Sequence, residues 1–152
     1  MMKRNTLTTL IQLAGDDKSK AAELLALAVS DQRRAEATLG TLVDYLSGYR
    51  QAMQNKASAG ATAIELKNQQ AFLGQLDQLI EKQKRLISAS NQKVETCRDE
   101  WRGHFRREKS FDLLDKRRQA AESARQLKQE QKLLDEHAAR QHLGSRHHND
   151  HT

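Results

Sequence analysis

The chain has 152 residues, contains no proline and only one Trp, two Tyr and three Phe, and 30% of its residues are charged. This composition excludes a broad apolar core and favours long helices, because proline is the strongest helix breaker. The formal net charge of +6 is spread thinly along the chain, which argues against a nucleic-acid-binding block, and the single cysteine excludes an intramolecular disulfide.

The first periodic segment predicts a helix over residues about 6–54. Its apolar residues alternate between spacings of three and four, which is typical of the core positions of a coiled coil. Those positions are Leu7, Leu10, Ala14, Ala21, Leu24, Ala28, Ala35, Leu42, Tyr45 and Tyr49. A second set widens the same stripe and consists of Ile11, Leu25, Leu39, Leu46 and Met53. Because Asp17 falls on a core position and follows Gly15, we expect a continuous helix only from about Ser19.

Small residues interrupt this pattern at about 55–61, which predicts the turn between two helices. Thr62 and Glu65 follow with the spacing of a capping box, in which the Thr hydroxyl accepts a hydrogen bond from the third amide and the Glu side chain reaches back. A second helix is therefore predicted over about 62–143. Its core positions are Phe72 or Leu73, Leu76, Ile80, Gln83, Ile87, Ser90, Val94, Cys97, Trp101, His104 and Phe111.

A short turn makes consecutive helices antiparallel neighbours. The predicted fold class is therefore all-α, an antiparallel two-stranded coiled coil in which the second helix overhangs the first. With the turn near Ala59, Leu7 is expected to face Phe111, and about thirty residues of helix two extend beyond helix one. Apolar spacing continues there, at Ala120, Ala124, Leu127, Gln131, Leu134 and Ala138. Two interpretations stay open: a frayed helix of strong helix formers that needs no partner, or a surface that docks on another molecule, including a second copy.

Half of the aromatic residues, Tyr45, Tyr49 and Phe72, are brought together by the antiparallel pairing. A pair of helices shelters only its central stripe, so the outer edges of these large side chains should remain accessible and form a candidate binding site. The same surface is predicted to include Leu42, Leu76, Leu79 and Gln83. The alternative is that the aromatic side chains are core packing, with Gly48 and Gly74 making room beside them.

No motif predicts catalysis, a cofactor or a metal site. The sequence has no phosphate-binding loop, no dinucleotide fingerprint and no paired cysteines, so we expect a protein that is not an enzyme. Arg98, Arg102 and Arg106 beside Trp101 suit a solvated helix face better than a site for an acidic partner. The histidine-rich end, 144–152, has no apolar residue and is predicted to be disordered. No charged start followed by an apolar stretch marks a signal peptide, which favours the cytoplasm. No run approaches the roughly 18 apolar residues of a membrane span, so any membrane association is expected to be through a partner.

Several short segments resemble the flagellar FliJ family in their order and spacing, over nearly the whole chain up to about Gln141. They are TLTTL at 6–10, LVDY at 42–45, NQQAF at 68–72, WR at 101–102, DKRRQAA at 115–121 and QKLLDE at 131–136. The resemblance implies a soluble, non-enzymatic component of the flagellar type III export apparatus. It also implies a coiled coil similar to the central stalk subunit of rotary ATPases.

Three partners follow from the same resemblance: the hexameric export ATPase, the cytoplasmic part of the export gate, and export chaperones. Gate binding is implied for Leu42, Tyr45, Tyr49, Phe72 and Leu76, with Leu79 and Gln83 at adjoining positions. ATPase and chaperone binding is implied for the two free ends, at Leu7, Leu10, Ala120, Ala124, Leu127 and Leu134. The expected location is the cytoplasm, peripherally at the inner membrane of the flagellar base, without a membrane span.

Two other functional classes are compatible with the residues alone. A general coiled-coil scaffold or secretion chaperone would bind other helices through the overhang, with no ATPase involved. A basic rod that binds nucleic acid would show an affinity that falls steeply with salt concentration.

Overall fold

A computed structural model describes residues 4–149 of the chain, and their side chains over 4–145. It contains two α-helices, α1 (Arg4–Ala59) and α2 (Ala63–Asn149), and no strand within the described range. The predicted all-α fold of two antiparallel helices is confirmed. By its contacts the chain divides into two compact units, one formed by Gly15–Phe105 and the other by the segments on either side of it.

Both helices are longer than the sequence predicted. α1 begins at Arg4 and passes through Gly15 without a break, and α2 continues past Gly144 to Asn149. The reason is that a glycine inside a helix costs only about 1 kcal/mol relative to alanine, and the chain has no proline to end either helix. The helical course to 149 differs from the disordered end predicted for 144–152, of which residues 150–152 lie outside the described range.

The link between the helices is Gly60–Thr62, shorter than the predicted turn at 55–61. Gly60 has a φ of 98°, a left-handed conformation that only glycine adopts at low cost, and it ends α1. The Thr62 hydroxyl accepts a hydrogen bond from the Glu65 amide at 3.2 Å, which is the first half of the predicted capping box. The Glu65 carboxylate lies 4.0 Å from Lys56 Nζ instead.

The unit Gly15–Phe105 has a narrow core between the two helices. Its densest part is a cluster of Leu46, Leu76 and Ile80, flanked by half-buried Leu39, Leu42 and Leu73. Farther from the link, small side chains replace these leucines, and Ala21, Ala28 and Val94 are the buried residues there. Two polar contacts join the helices between these regions: Gln83 Nε2 donates to the Ala35 carbonyl at 2.9 Å, and Gln32 Nε2 donates to Asn91 Oδ1 at 2.6 Å.

The core positions predicted for α2 are buried or half-buried from Leu73 to Phe111, but two predicted for α1 were wrong. Leu24 and Tyr45 are both 55% exposed. Their neighbours Leu25 and Leu46 take the core positions instead. Since each pair of neighbours is apolar, periodicity alone could not choose between them, and the surface of α2 decides.

The other unit is formed by α1 up to Ala14 and α2 from Arg106. Leu7 and Ala14 are buried here, and on α2 the half-buried residues end at Arg118. Leu7 shares a groove with Leu114, three residues beyond the expected Phe111, because the link is centred later than predicted. From 119 to 145 every side chain of α2 is exposed; this stretch is called the C-terminal segment below.

Candidate functional site

Three aromatic rings meet on one surface of the helix pair near the link. The ring centroids of Tyr49 and Phe72 are 4.7 Å apart. Tyr45 lies 6.5 Å from Tyr49 and 6.4 Å from Phe72, with an edge-on approach to the latter. These separations lie in the range of favourable aromatic pairs, which contribute about 0.5–1.5 kcal/mol beyond burial. The aromatic cluster, defined as Tyr45, Tyr49 and Phe72, is thus a preassembled surface.

The cluster is partly open to solvent. Tyr45 is 55% and Phe72 37% exposed, while Tyr49 is half-buried. Arg50 and Asp77 lie across the two helices from each other, with an N–O distance of 3.9 Å and with both side chains more than half exposed. Large aromatic area that the fold leaves uncovered is typical of a contact surface for another molecule.

The other residues predicted for this surface divide into buried and exposed groups. Leu76 is only 4% exposed and belongs to the core cluster, against which Leu42 packs. Gln83 is half-buried, and its side-chain amide donates a hydrogen bond to the Ala35 carbonyl. Leu79 is 52% exposed. Leu76 and Leu42 therefore support the surface from beneath, whereas Leu79 extends it.

Leu86 was missed by the sequence reasoning. It is exposed and follows Phe72 and Leu79 at intervals of seven residues, which places the three on one face of α2. The seven-residue spacing from Phe72 and Leu79 was the sequence signal that could have identified Leu86 as part of this surface. The exposed apolar surface on α2 is therefore two turns longer than predicted.

The C-terminal segment carries a second exposed apolar surface. Leu127 and Leu134 are 65% and 64% exposed, and their neighbours along the predicted stripe are exposed alanines and a glutamine. We call this the leucine–alanine stripe; it consists of Ala120, Ala124, Leu127, Gln131, Leu134 and Ala138. The structure separates it from Leu7, which is buried, and from Leu10, which is half-buried.

The leucine–alanine stripe does not continue the face of α2 that contacts α1. Phe111, Asp115 and Arg118 are the last half-buried residues on that face. Ala120 follows Phe111 by nine residues, which is about two and a half helical turns. The stripe consequently lies about half a turn away, on the opposite side of α2 from α1.

On the side that does continue α1, the surface is charged. An open groove of about 500 Å³ is lined by Leu7, Leu114, Arg117, Arg118, Ala121, Glu122 and Arg125. Arg118 pairs with Asp115 at 3.1 Å and Arg125 with Glu122 at 3.0 Å. Sequence reasoning missed this groove, although the antiparallel pairing places Arg117, Arg118 and Arg125 close to the start of α1.

Neither of the two exposed apolar surfaces, the aromatic cluster and the leucine–alanine stripe, contains a group of side chains typical of a reaction centre. Among the described residues, no three His, Cys, Asp or Glu side chains come together as a metal site would require, and Cys97 is a free, half-buried thiol. No helix in the described range has a stretch apolar and long enough to cross a bilayer. Exposed aromatic and aliphatic side chains of this kind are suited to apolar contact with another molecule.

Comparisons with known proteins give a consistent result. A family model described as "Flagellar FliJ protein" matches residues 2–147. The Flagellar FliJ protein of Escherichia coli (strain K12) is 30% identical over 140 residues, which cover 92% of this chain and 95% of that protein. The protein of the same name from Salmonella typhi is 29% identical over the same shares. No solved structure matches.

Proposed function

Because the chain belongs to the FliJ family of flagellar proteins, we propose that it is a non-enzymatic adaptor of the flagellar type III export apparatus. In this role it binds the export ATPase ring, the export gate and export chaperones. The observation that carries the proposal is the preassembled aromatic cluster, in which the fold leaves Tyr45 and Phe72 partly exposed to solvent.

Gate binding is assigned to the aromatic cluster together with Leu79. Tyr45 and Phe72 supply exposed aromatic area in a fixed arrangement, and fixed aromatic anchors are the residues that most often dominate binding free energy. Leu42 and Leu76 hold the backbone beneath these anchors through the core cluster, and Gln83 ties the two helices together farther from the link through its contact with the Ala35 carbonyl. They act on gate binding indirectly, by positioning.

ATPase and chaperone binding is assigned to the two chain ends. Leu10 is half-buried, and the alanines and leucines of the C-terminal segment are fully available. Leu7 is buried, so its part is to anchor the start of α1 on α2. The expected location is the cytoplasm, at the inner face of the membrane, through these partners.

An adaptor of this kind raises ATP hydrolysis without contacting ATP. If it binds the assembled ring more tightly than the free subunits, it shifts the equilibrium towards the ring by that difference in affinity. The aromatic cluster lies on Gly15–Phe105 and the leucine–alanine stripe lies outside it. The gate and the ATPase can therefore be bound by different parts of one chain.

Gate binding is tested with Tyr45→Ala and its matched control Val43→Ala. Val43 is also exposed and lies two residues away, on the opposite side of α1. Titration of the purified cytoplasmic domain of the cognate gate should show about tenfold weaker binding for Tyr45→Ala. Val43→Ala should bind as the parent protein does. Equal affinity of the two variants would refute the assignment of the gate contact to the aromatic cluster.

ATPase binding is tested by the hydrolysis rate of the cognate export ATPase with and without the full chain. We expect the parent protein to raise the rate and Leu127→Asp to lose much of that increase, while Leu133→Asp, an exposed leucine outside the stripe, keeps it. A parent protein without any effect on hydrolysis would instead favour a coiled-coil scaffold or secretion chaperone that does not couple to an ATPase.

A further inference from the structure

The leucine–alanine stripe has no cover within the described part of this chain, and its own charges indicate what can cover it. We propose that the stripe pairs with the same stripe of a second copy of this chain, in antiparallel orientation. This self-association goes beyond the adaptor role and involves no flagellar partner. It uses the same stripe as the proposed ATPase and chaperone contact, so that one chain makes only one of these contacts at a time.

The position of the stripe leaves room for a second copy. α1 lies against the opposite side of α2 in this unit, at Phe111, Asp115 and Arg118. A second C-terminal segment laid along the stripe therefore meets only α2. Since the pairing is antiparallel, the α1 helix of the second copy also lies on the outer side and does not obstruct the contact.

Packing in such a pair sets each leucine of the stripe against an alanine or a glutamine of the second copy. The stripe alternates in spacings of four and three residues, so that its positions form the core of a coiled coil. With the two copies centred between residues 132 and 133, Leu127 packs against Ala138 of the second copy. Leu134 packs against Gln131, and each contact occurs twice because the pair is two-fold symmetric.

The flanking charges select this register among the antiparallel alternatives. In it, Lys128 lies opposite Asp135 of the second copy and Glu130 lies opposite His137. Sliding one copy by seven residues towards the link places Lys128 opposite Lys128 and Glu130 opposite Glu130. Sliding it by seven the other way places Asp135 opposite Asp135. Like charges at flanking positions destabilise a coiled coil and fix partner and orientation.

A parallel arrangement is disfavoured by the same residues. In parallel coiled coils a flanking residue meets the one five positions later in the other helix, which brings Glu130 next to Asp135. Two carboxylates meet there, and Lys128 meets the uncharged Ser123. The charge pattern of the segment is thus complementary to itself only when the two copies run in opposite directions.

The groups that make these contacts are accessible in the single chain. Lys128, Glu130 and His137 are exposed. Asp135 Oδ1 accepts one hydrogen bond, from Gln131 Nε2 at 3.1 Å, which leaves Oδ2 to accept from a lysine of the second copy. Within the described part of the chain, no ion pair of these residues therefore has to break when the copies associate.

The first test is sedimentation equilibrium of the full chain over a range of concentrations, with Leu134→Asp and Leu133→Asp as a matched pair. These neighbours are 64% and 65% exposed, but only Leu134 lies on the stripe. We expect a monomer–dimer equilibrium for the parent, at least about tenfold weaker association for Leu134→Asp, and little change for Leu133→Asp. A parent that stays monomeric, or two variants with equal effects, would overturn the proposal. Circular dichroism checks that both variants keep their helix content.

The second test determines the orientation by charge exchange. Asp135→Lys should weaken the dimer, and adding Lys128→Glu should restore it, because the exchanged pair meets across the antiparallel contact. A parallel pair predicts the reverse for the single variant, since Asp135→Lys would relieve the repulsion by Glu130. Strengthening by Asp135→Lys alone, or no recovery in the double variant, would overturn the antiparallel pairing.

Discussion

The helix α2 is held by two different means along its length. Between the link and Phe105 it is held by burial against α1, through Leu76, Ile80 and Val94. In the C-terminal segment every side chain is exposed, and the helix is supported by strong helix formers and by local contacts such as Arg125 to Glu122. The difference shows that an equally helical sequence can be specified by tertiary packing in one region and by intrinsic propensity in another.

The comparison predicts that stability depends on the buried region and not on the exposed one. Ile80→Ala is the substitution with the largest expected effect, since it removes buried atoms from the core cluster. We expect the free energy of unfolding to fall by about 2–5 kcal/mol. The measurement is urea denaturation followed by circular dichroism.

Leu79→Ala is the matched control for this prediction. Leu79 is the preceding residue on the same helix and is half exposed, so its truncation should change the free energy of unfolding by less than about 0.5 kcal/mol. Similar losses for the two variants would mean that burial between the helices is not what holds this part of α2.

The alanines of the two regions provide a second contrast. Ala28 is buried between the helices, and a larger side chain there forces them apart. Ala28→Leu should therefore lower the free energy of unfolding by about 1–3 kcal/mol. Ala124→Leu, on the exposed segment, should be nearly neutral. Thermal unfolding of both variants tests this, and an unchanged midpoint for Ala28→Leu would show that the buried alanines do not set the distance between the helices.

The smallest expected effect comes from two glycines inside helices. A Cβ atom added at Gly48 or at Gly144 meets nothing within 4 Å. Gly48→Ala should raise the global free energy of unfolding by about 0.5–1 kcal/mol. Gly144→Ala should leave the global transition unchanged and slow amide hydrogen exchange only around its own turn, because that turn opens without unfolding the rest. A global gain from Gly144→Ala would show that the C-terminal segment unfolds together with the paired helices.

The core of the fold was largely predictable because one physical pattern determines it. The spacing of three and four along α2 identified its core residues from Leu73 to Phe111, and the absence of proline indicated long helices. The errors at Leu24 and Tyr45 arose where two apolar residues are adjacent. In such places the opposing helix decides which of the two is buried.

The candidate surfaces were predictable to a lesser degree. The aromatic cluster followed from antiparallel pairing, but the burial of Leu76 and the exposure of Leu86 depend on rotations of less than half a turn. The interval of nine residues from Phe111 to Ala120 is about two and a half turns, so the sequence already placed these residues on opposite sides of α2. The prediction that the stripe extends the paired core overlooked this interval.

The hydrogen bond from Gln83 to the Ala35 carbonyl has a consequence for sliding motions of one helix along the other. Narrow cores lined by alanine present similar surfaces at every heptad, so translation by seven residues changes the apolar packing little. A shorter slip, of two or three residues, moves the Ala35 carbonyl about 3–4.5 Å along the axis and leaves the half-buried amide without that acceptor, at a cost of about 1–3 kcal/mol. The contact therefore sets the alignment of the helices within one heptad, whereas the change from leucines near the link to alanines farther away sets which heptads face each other.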